Sequence, residues 1–240
     1  PVTDSGPLNA ILLLGLNPIL MDSRKHSYNI DYESFLHAIT TNTSAAFIVH
    51  AAGEPVAIGP IVKEANRRDI KIIEDCSQAP GAKCCGKQKK CSLSCIEEDK
   101  NLVGTFGDIS AFSTMYRKSI SGGGSGGIVY TKDKELFHKS LAYADRGRTK
   151  WLSTSNSKNP GEGLFPALNF NTNEFTCAIG SASLSRLSET IKKRCLFLEK
   201  LCKEIKKQCR VCKTSDFHNG FSPFYFTLFS ETCAKVETYY

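Results

Sequence analysis

Apolar residues along the chain gather in two kinds of run, and their alternation sets the expected fold. Residues 45–49 (AAFIV) and 70–73 (IKII) are short and rich in β-branched side chains, as buried strands are. Residues 32–39 and 56–68 read as helices, the first entered through Asp31 as its cap. Residues 8–15 read as a short apolar helix ended by Gly15 and Pro18, and residues 19–21 as a brief strand closing on Asp22. Parallel strands need crossover helices, so this order predicts an α/β fold with a mostly parallel, doubly wound sheet. Farther on, residues 128–131 read as a strand. A long helix is expected from Thr172, because Leu184, Leu187, Ile191, Cys195, Leu198, Cys202 and Ile205 recur in steps of three and four. Residues 221–229 then read as a strand opening a second lobe.

The stretch from 72 to 127 carries the candidate chemistry. Ligands of such sheets bind beyond the carboxyl ends of the strands, and Asp75 and Ser113 both stand at such ends. A buried Asp75 carboxylate needs a cationic or hydrogen-bonding partner. Lys118 follows the second strand, and an amine stripped of water beside apolar strands becomes a nucleophile toward a carbonyl. The residues alone equally support Asp75 as a helix cap and Lys118 as a solvated loop lysine. The run GGGSGG at 122–127 lacks the lysine and hydroxyl residue that close a Walker loop, so it reads as a tight turn after Lys118.

Composition trims the alternatives. The 240 residues suffice for one full domain and part of another. The net charge of +7 comes from scattered lysines and short clusters such as Lys192, Lys193 and Arg194. These read as a solvated helix face, so no nucleic-acid partner is expected. The apolar run 10–16 is too short to span a bilayer, and no leader is read at Pro1, so the expected setting is the cytoplasm with no membrane partner. Eleven cysteines, spread over apparent core and helix positions such as Cys76, Cys177, Cys195 and Cys202, read as reduced buried thiols. Residues 83–101 hold Cys84, Cys85, Cys91 and Cys95 without paired C-x-x-C knuckles or a nearby histidine. They read as an exposed insertion loop, and no metal is expected.

Residues 72–82 (IIEDCSQAPGA) and 104–131 (GTFGDISAFSTMYRKSISGGGSGGIVYT) resemble the signature of the DegT/DnrJ/StrS family of sugar aminotransferases, which depend on pyridoxal phosphate (PLP) and share the aspartate-aminotransferase-like fold type I. NAILLLGLNPILMD, YNIDYESFLHAIT and FIVHAAGEPVAIGPIVKEANRRDIKIIED upstream, and LNFNTNEFTCAIGSASLSRLSETIKKR downstream, follow the family's order of elements. The resemblance therefore covers nearly the whole chain. It implies a PLP-binding large domain over residues 1–190, its N-terminal part missing. Residues 191–240 would be a long-helix linker and the start of a small α+β C-terminal domain.

The resemblance also implies roles. Lys118 would form the Schiff base with PLP and shuttle the substrate proton, and Asp75 would pair with the pyridine nitrogen. Gln78 would bond the phenolic oxygen, and Ser113 the phosphate. Asn169 would reach the phosphate of the neighbouring subunit's cofactor, which makes the unit a homodimer. The substrates implied are a nucleotide-linked keto sugar and an amino donor, glutamate, in polysaccharide biosynthesis. Related sugar dehydratases carry histidine in place of the lysine, and Lys118 argues against that activity. Asp4 stands where the family stacks an aromatic ring, Asn171 where it has an arginine, and Ser125 where it has an acid. The family's phosphate-binding helix start would lie before Pro1. A second expectation is therefore a catalytically impaired or truncated relative serving as a binding or oligomerisation module. On the residues alone Asn169 is equally a turn residue, and Phe165, Phe170 and Phe175 either face a partner or pack under the long helix.

Overall fold

The computed structural model describes residues 2–84, 101–148, 165–209, 211–214 and 220–230. Cys85, Cys91 and Cys95 lie outside them. Four helices begin where a short acceptor side chain satisfies a first-turn N–H: α1 (Ser5–Leu13) behind Asp4, α2 (Tyr32–Ala38) behind Asp31, α4 (Lys134–Ala144) behind Asp133 and α5 (Glu174–Leu184) behind Asn173. Between α2 and α4 lie β1 (Ala45–Val49), α3 (Ile58–Arg67), β2 (Lys71–Asp75), β3 (Ile109–Ser113) and β4 (Gly127–Tyr130).

These strands form one sheet in the order β1-β2-β3-β4. The first three are parallel, with Val49 opposite Asp75 and Asp75 opposite Ala111. β4 runs antiparallel, with Gly127 opposite Ser113. The last residues of β1, β2 and β3 and the first of β4 therefore share one edge of the sheet. One face is sealed by Phe35 of α2 and by Ile58, Ile61 and Ala65 of α3 packed on Ala46, Ile48, Ile70 and Ile72. Truncating Ile61, which is wholly buried, to alanine would cost about 2–5 kcal/mol.

Several expectations change. Residues 19–21 form no strand; Ile19 and Leu20 are exposed, and the loop that Pro18 starts has no ladder partner among the described residues. The long helix is two, because the chain turns at Ser185 and Arg186 before α6 (Leu187–Gln208), where Ser185 Oγ bonds back to the Ala182 carbonyl. Only Leu228 and Phe229 of the expected 221–229 strand are regular; they belong to β6 (Leu228–Ser230), paired antiparallel with β5 (Cys212–Thr214). Pro223 offers no N–H to a ladder, and the residues before β6 bond to the larger sheet's loops instead: Ser222 N to the Gly53 carbonyl and Phe224 N to that of Ala52.

The thiols also divide. Cys209 and Cys212 form a disulfide, against the expectation of reduced cysteines throughout, because the reversal from α6 into β5 brings their Cα atoms to 5.4 Å. Cys76 and Cys84 are buried, the latter in the core and not in an exposed loop, while Cys177 is exposed and Cys195 and Cys202 are half-buried.

Candidate active site

The shared strand edge collects four of the five proposed site residues on three neighbouring stretches of backbone. Asp75 closes β2 at 7% exposure, and its Oδ1 accepts the Ser77 N–H at 2.9 Å. Gln78 follows on the turn, where its Oε1 accepts the Ala52 N–H at 2.7 Å and leaves its amide hydrogens as donors. Ser113 closes β3, two residues beyond the partner of Asp75, so its hydroxyl stands beyond the acid along the same direction. Lys118 lies in the loop that follows, with its backbone N–H on the Met115 carbonyl.

Lys118 is half-exposed rather than buried between strands. Its Nζ sits 5.0 Å from the centroid of the Phe224 ring, a residue far along the chain. A ring face attracts an ammonium group and fixes its height above the plane. The glycine-rich turn serves this loop by packing. A Cβ on Gly122 would meet Thr176 Cγ2 of α5 at 2.7 Å, and one on Gly126 would meet Thr114 Oγ1 at 2.7 Å.

Asn169 is held apart from this group. It bridges to Asp145 at the end of α4, and its Oδ1 accepts the Asn171 N–H at 3.2 Å. Among the described residues its hydrogen bonds do not reach Asp75, Gln78, Ser113 or Lys118. Around it Tyr143 stacks on Phe170 and Phe165, while Phe170 and Phe175 are 56% and 83% exposed. Asn171 bonds Asp145 Oδ1 at 3.3 Å, and Asp4 caps α1.

Sequence reasoning missed the support beneath this edge. Glu74, wholly buried, accepts hydrogen bonds from His50 Nε2 at 3.1 Å and from the N–H groups of Gly104 (2.7 Å), Phe106 (2.8 Å) and Gly107 (2.6 Å). Burial pushes its carboxyl up, but the hydrogen bonds from His50 and from the Gly107 and Gly104 N–H groups outweigh this and hold it below the ordinary glutamate value. Val56 N–H donates to His50 Nδ1, which puts the ring hydrogen on Nε2, facing Glu74. Cys76 lies within 4.8 Å of both, and burial beside Glu74 and Asp75 drives its thiol well above its usual range. Both His50 nitrogens and both Glu74 oxygens are already engaged, so this pair is a bonded network and offers no vacant ligands beside Cys76. The readable signal was two successive acids in a strand: alternation sends them to opposite faces, so one must go under the sheet.

A mostly parallel sheet with helices packed on it is the α/β architecture of the solved PLP-dependent aminotransferases. The chain belongs to the DegT/DnrJ/EryC1/StrS aminotransferase family, whose model matches residues 1–237. It is 31% identical over 191 residues to GDP-perosamine synthase of Escherichia coli O157:H7, covering 78% of this chain and 45% of that protein. It is 32% identical over 190 residues to GDP-4-keto-6-deoxy-D-mannose 3-dehydratase of Yersinia pseudotuberculosis, covering 75% and 44%. Among solved structures, the E. coli GDP-4-keto-6-deoxy-D-mannose-3-dehydratase with bound hydrated PLP superposes with a TM-score of 0.81 at 25% identity, over 97% of this chain and 58% of that one. The chain thus spans about 45% of the first of these relatives. The family comprises PLP-dependent enzymes, and these relatives are named for nucleotide sugars. Among the described residues no helix is long and apolar enough to cross a membrane.

Proposed function

We propose that the protein containing this chain is an aminotransferase that moves an amino group from glutamate to the keto group of a nucleotide-linked sugar. One observation carries the reading: the β2–β3 register sets Asp75 and Ser113 on adjacent parallel strand ends, with Lys118 on the loop just beyond. The donor set suits PLP. Asp75 keeps one carboxylate oxygen outside its Ser77 bond, Gln78 keeps its amide hydrogens, Ser113 offers a hydroxyl, and Lys118 offers an amine reachable from solvent. Bound there, PLP supplies an electron sink for the carbon that loses its proton.

The chain's own residues do the rest. Asp75 would hold a proton on the ring nitrogen, Gln78 would donate to the ring oxygen, and Ser113 would donate to the phosphate. Lys118 would hold the cofactor through its amine and would carry the substrate proton. Residues 1–190 form the cofactor-binding unit and 191–240 lead into a second lobe. Asn169 acts at the neighbouring subunit's site in a homodimer, and the exposed rings around it suit burial against a partner. The setting is the cytoplasm. The test is the half-reaction: full-length protein loaded with PLP, given glutamate and no sugar, should yield 2-oxoglutarate in amounts matching its sites. No 2-oxoglutarate from protein that retains PLP would contradict the reading.

A second reading, a relative that binds or oligomerises without turnover, draws on Asp4 and Asn171. Both are committed to local bonds where the family resemblance leads one to expect a stacking ring and an arginine.

A further inference from the structure

Arg194 stands on α6, far along the chain from the site, and has no part in the roles above. Its half-buried guanidinium uses one nitrogen for two partners: Nη1 donates to Ser119 Oγ at 2.7 Å and to the Pro223 carbonyl at 3.0 Å. Each partner is the chain neighbour of a group that meets at the site. Ser119 follows Lys118, Pro223 precedes Phe224, and the Lys118 amine lies over the Phe224 ring. The helix that carries Arg194 is itself seated on the site's turn, since a Cβ on Gly81, three residues after Gln78, would come 2.8 Å from Ile191 Cδ1. A guanidinium is a rigid, permanently charged donor, suited to joining two such segments at a fixed spacing.

We propose that Arg194 is a positioning residue for Lys118: by fastening Ser119 and Pro223 to one donor, it fixes the Lys118 amine over the Phe224 ring. The inference rests on the reading of Lys118 as the amine that receives the cofactor. The ring face attracts the amine's charged head and restrains where Nζ can travel. The other charged group beside Lys118 in the chain, Arg117, is engaged over the Tyr116 ring at 5.1 Å. Without the clamp, Lys118 becomes a freer and more reactive amine, aimed over a wider volume.

The test is competitive acetylation of the full-length protein without cofactor, at one pH, with the Lys118 peptide quantified against those of Lys63 and Lys192 by mass spectrometry. Arg194→Ala, Ser119→Ala and Phe224→Leu should each raise the relative acetylation of Lys118 about two- to five-fold, the range a cation–π contact supports. Arg194→Lys, whose ammonium keeps three donors, should return it toward the parent ratio. An unchanged ratio in Arg194→Ala and Ser119→Ala overturns the proposal, as does a raised ratio that Arg194→Lys fails to lower. Should Arg194→Ala fail to fold, Ser119→Ala and Phe224→Leu decide by the same ratio. The readout needs no cofactor. A parent protein that never binds PLP at Lys118 would therefore refute the proposed function while this ratio still answered for Arg194.

Discussion

Glu74 and His50 meet at 3.1 Å with both side chains fully buried, and the same carboxylate gathers three N–H groups from the loop that leads into β3. This is the anchor from which the site's two central strands are hung. Replacing Glu74 by Gln turns part of the acceptor into a donor facing donors, and should cost about 3 kcal/mol or more. The pH dependence follows from the lowered carboxyl. Its contribution is present above the ordinary glutamate value of 4.5 and is lost as pH falls below that through the lower folded value. Denaturant midpoints measured from pH 7 down to pH 3 should fall more steeply for the parent than for Glu74→Gln. Parallel curves would refute the assignment.

How much of this was legible in the sequence depended on whether local pattern or distant contact governed the residues. β1 runs from Ala45 to Val49 as its apolar run foretold, and Asp31 caps α2, because both are decided within a few residues. α3 begins at Ile58 rather than Val56, since the Val56 N–H is taken by the ring of His50. The apolar run before β6 looked like a strand, yet its N–H groups answer carbonyls at Ala52 and Gly53, which no window of sequence reveals. The placement of Asp75 and Ser113 at strand ends, with Lys118 on the loop after them, was legible because these are short-range features. Glu74, His50 and Arg194 were not, since each depends on a partner at least 24 positions away.

Gly53 offers a test of how the 220–227 segment is held. It has φ of +82°, and a Cβ there would lie 1.8 Å from the Ser222 carbonyl oxygen. Gly53→Ala should therefore destabilise the protein by about 2 kcal/mol or more and release this segment, seen as faster amide exchange at Ser222 and Phe224. Unchanged exchange at these two amides would show that the contact is not needed.

Under the proposed function, Asp75→Asn removes the charge that would hold a proton on the ring nitrogen while keeping the Ser77 bond available. Binding of PLP should persist, and the glutamate half-reaction should slow by a factor on the order of 10²–10³. Equal rates in the two proteins would exclude the role.

If Asn169 serves the partner's site, then full-length Lys118→Ala and full-length Asn169→Ala, each inactive or weak alone, should regain activity on mixing. Mixed dimers contain one site with both residues intact. Confirmed subunit exchange without recovery would mean that Asn169 serves its own chain or neither.

The central claim is that Lys118 is the amine that takes the cofactor, and it is tested most directly by trapping. Full-length protein incubated with PLP, reduced with borohydride and mapped by peptide mass should carry one pyridoxyl group, on Lys118. A label on another lysine, or none on Lys118 in protein that has bound the cofactor, would contradict the account.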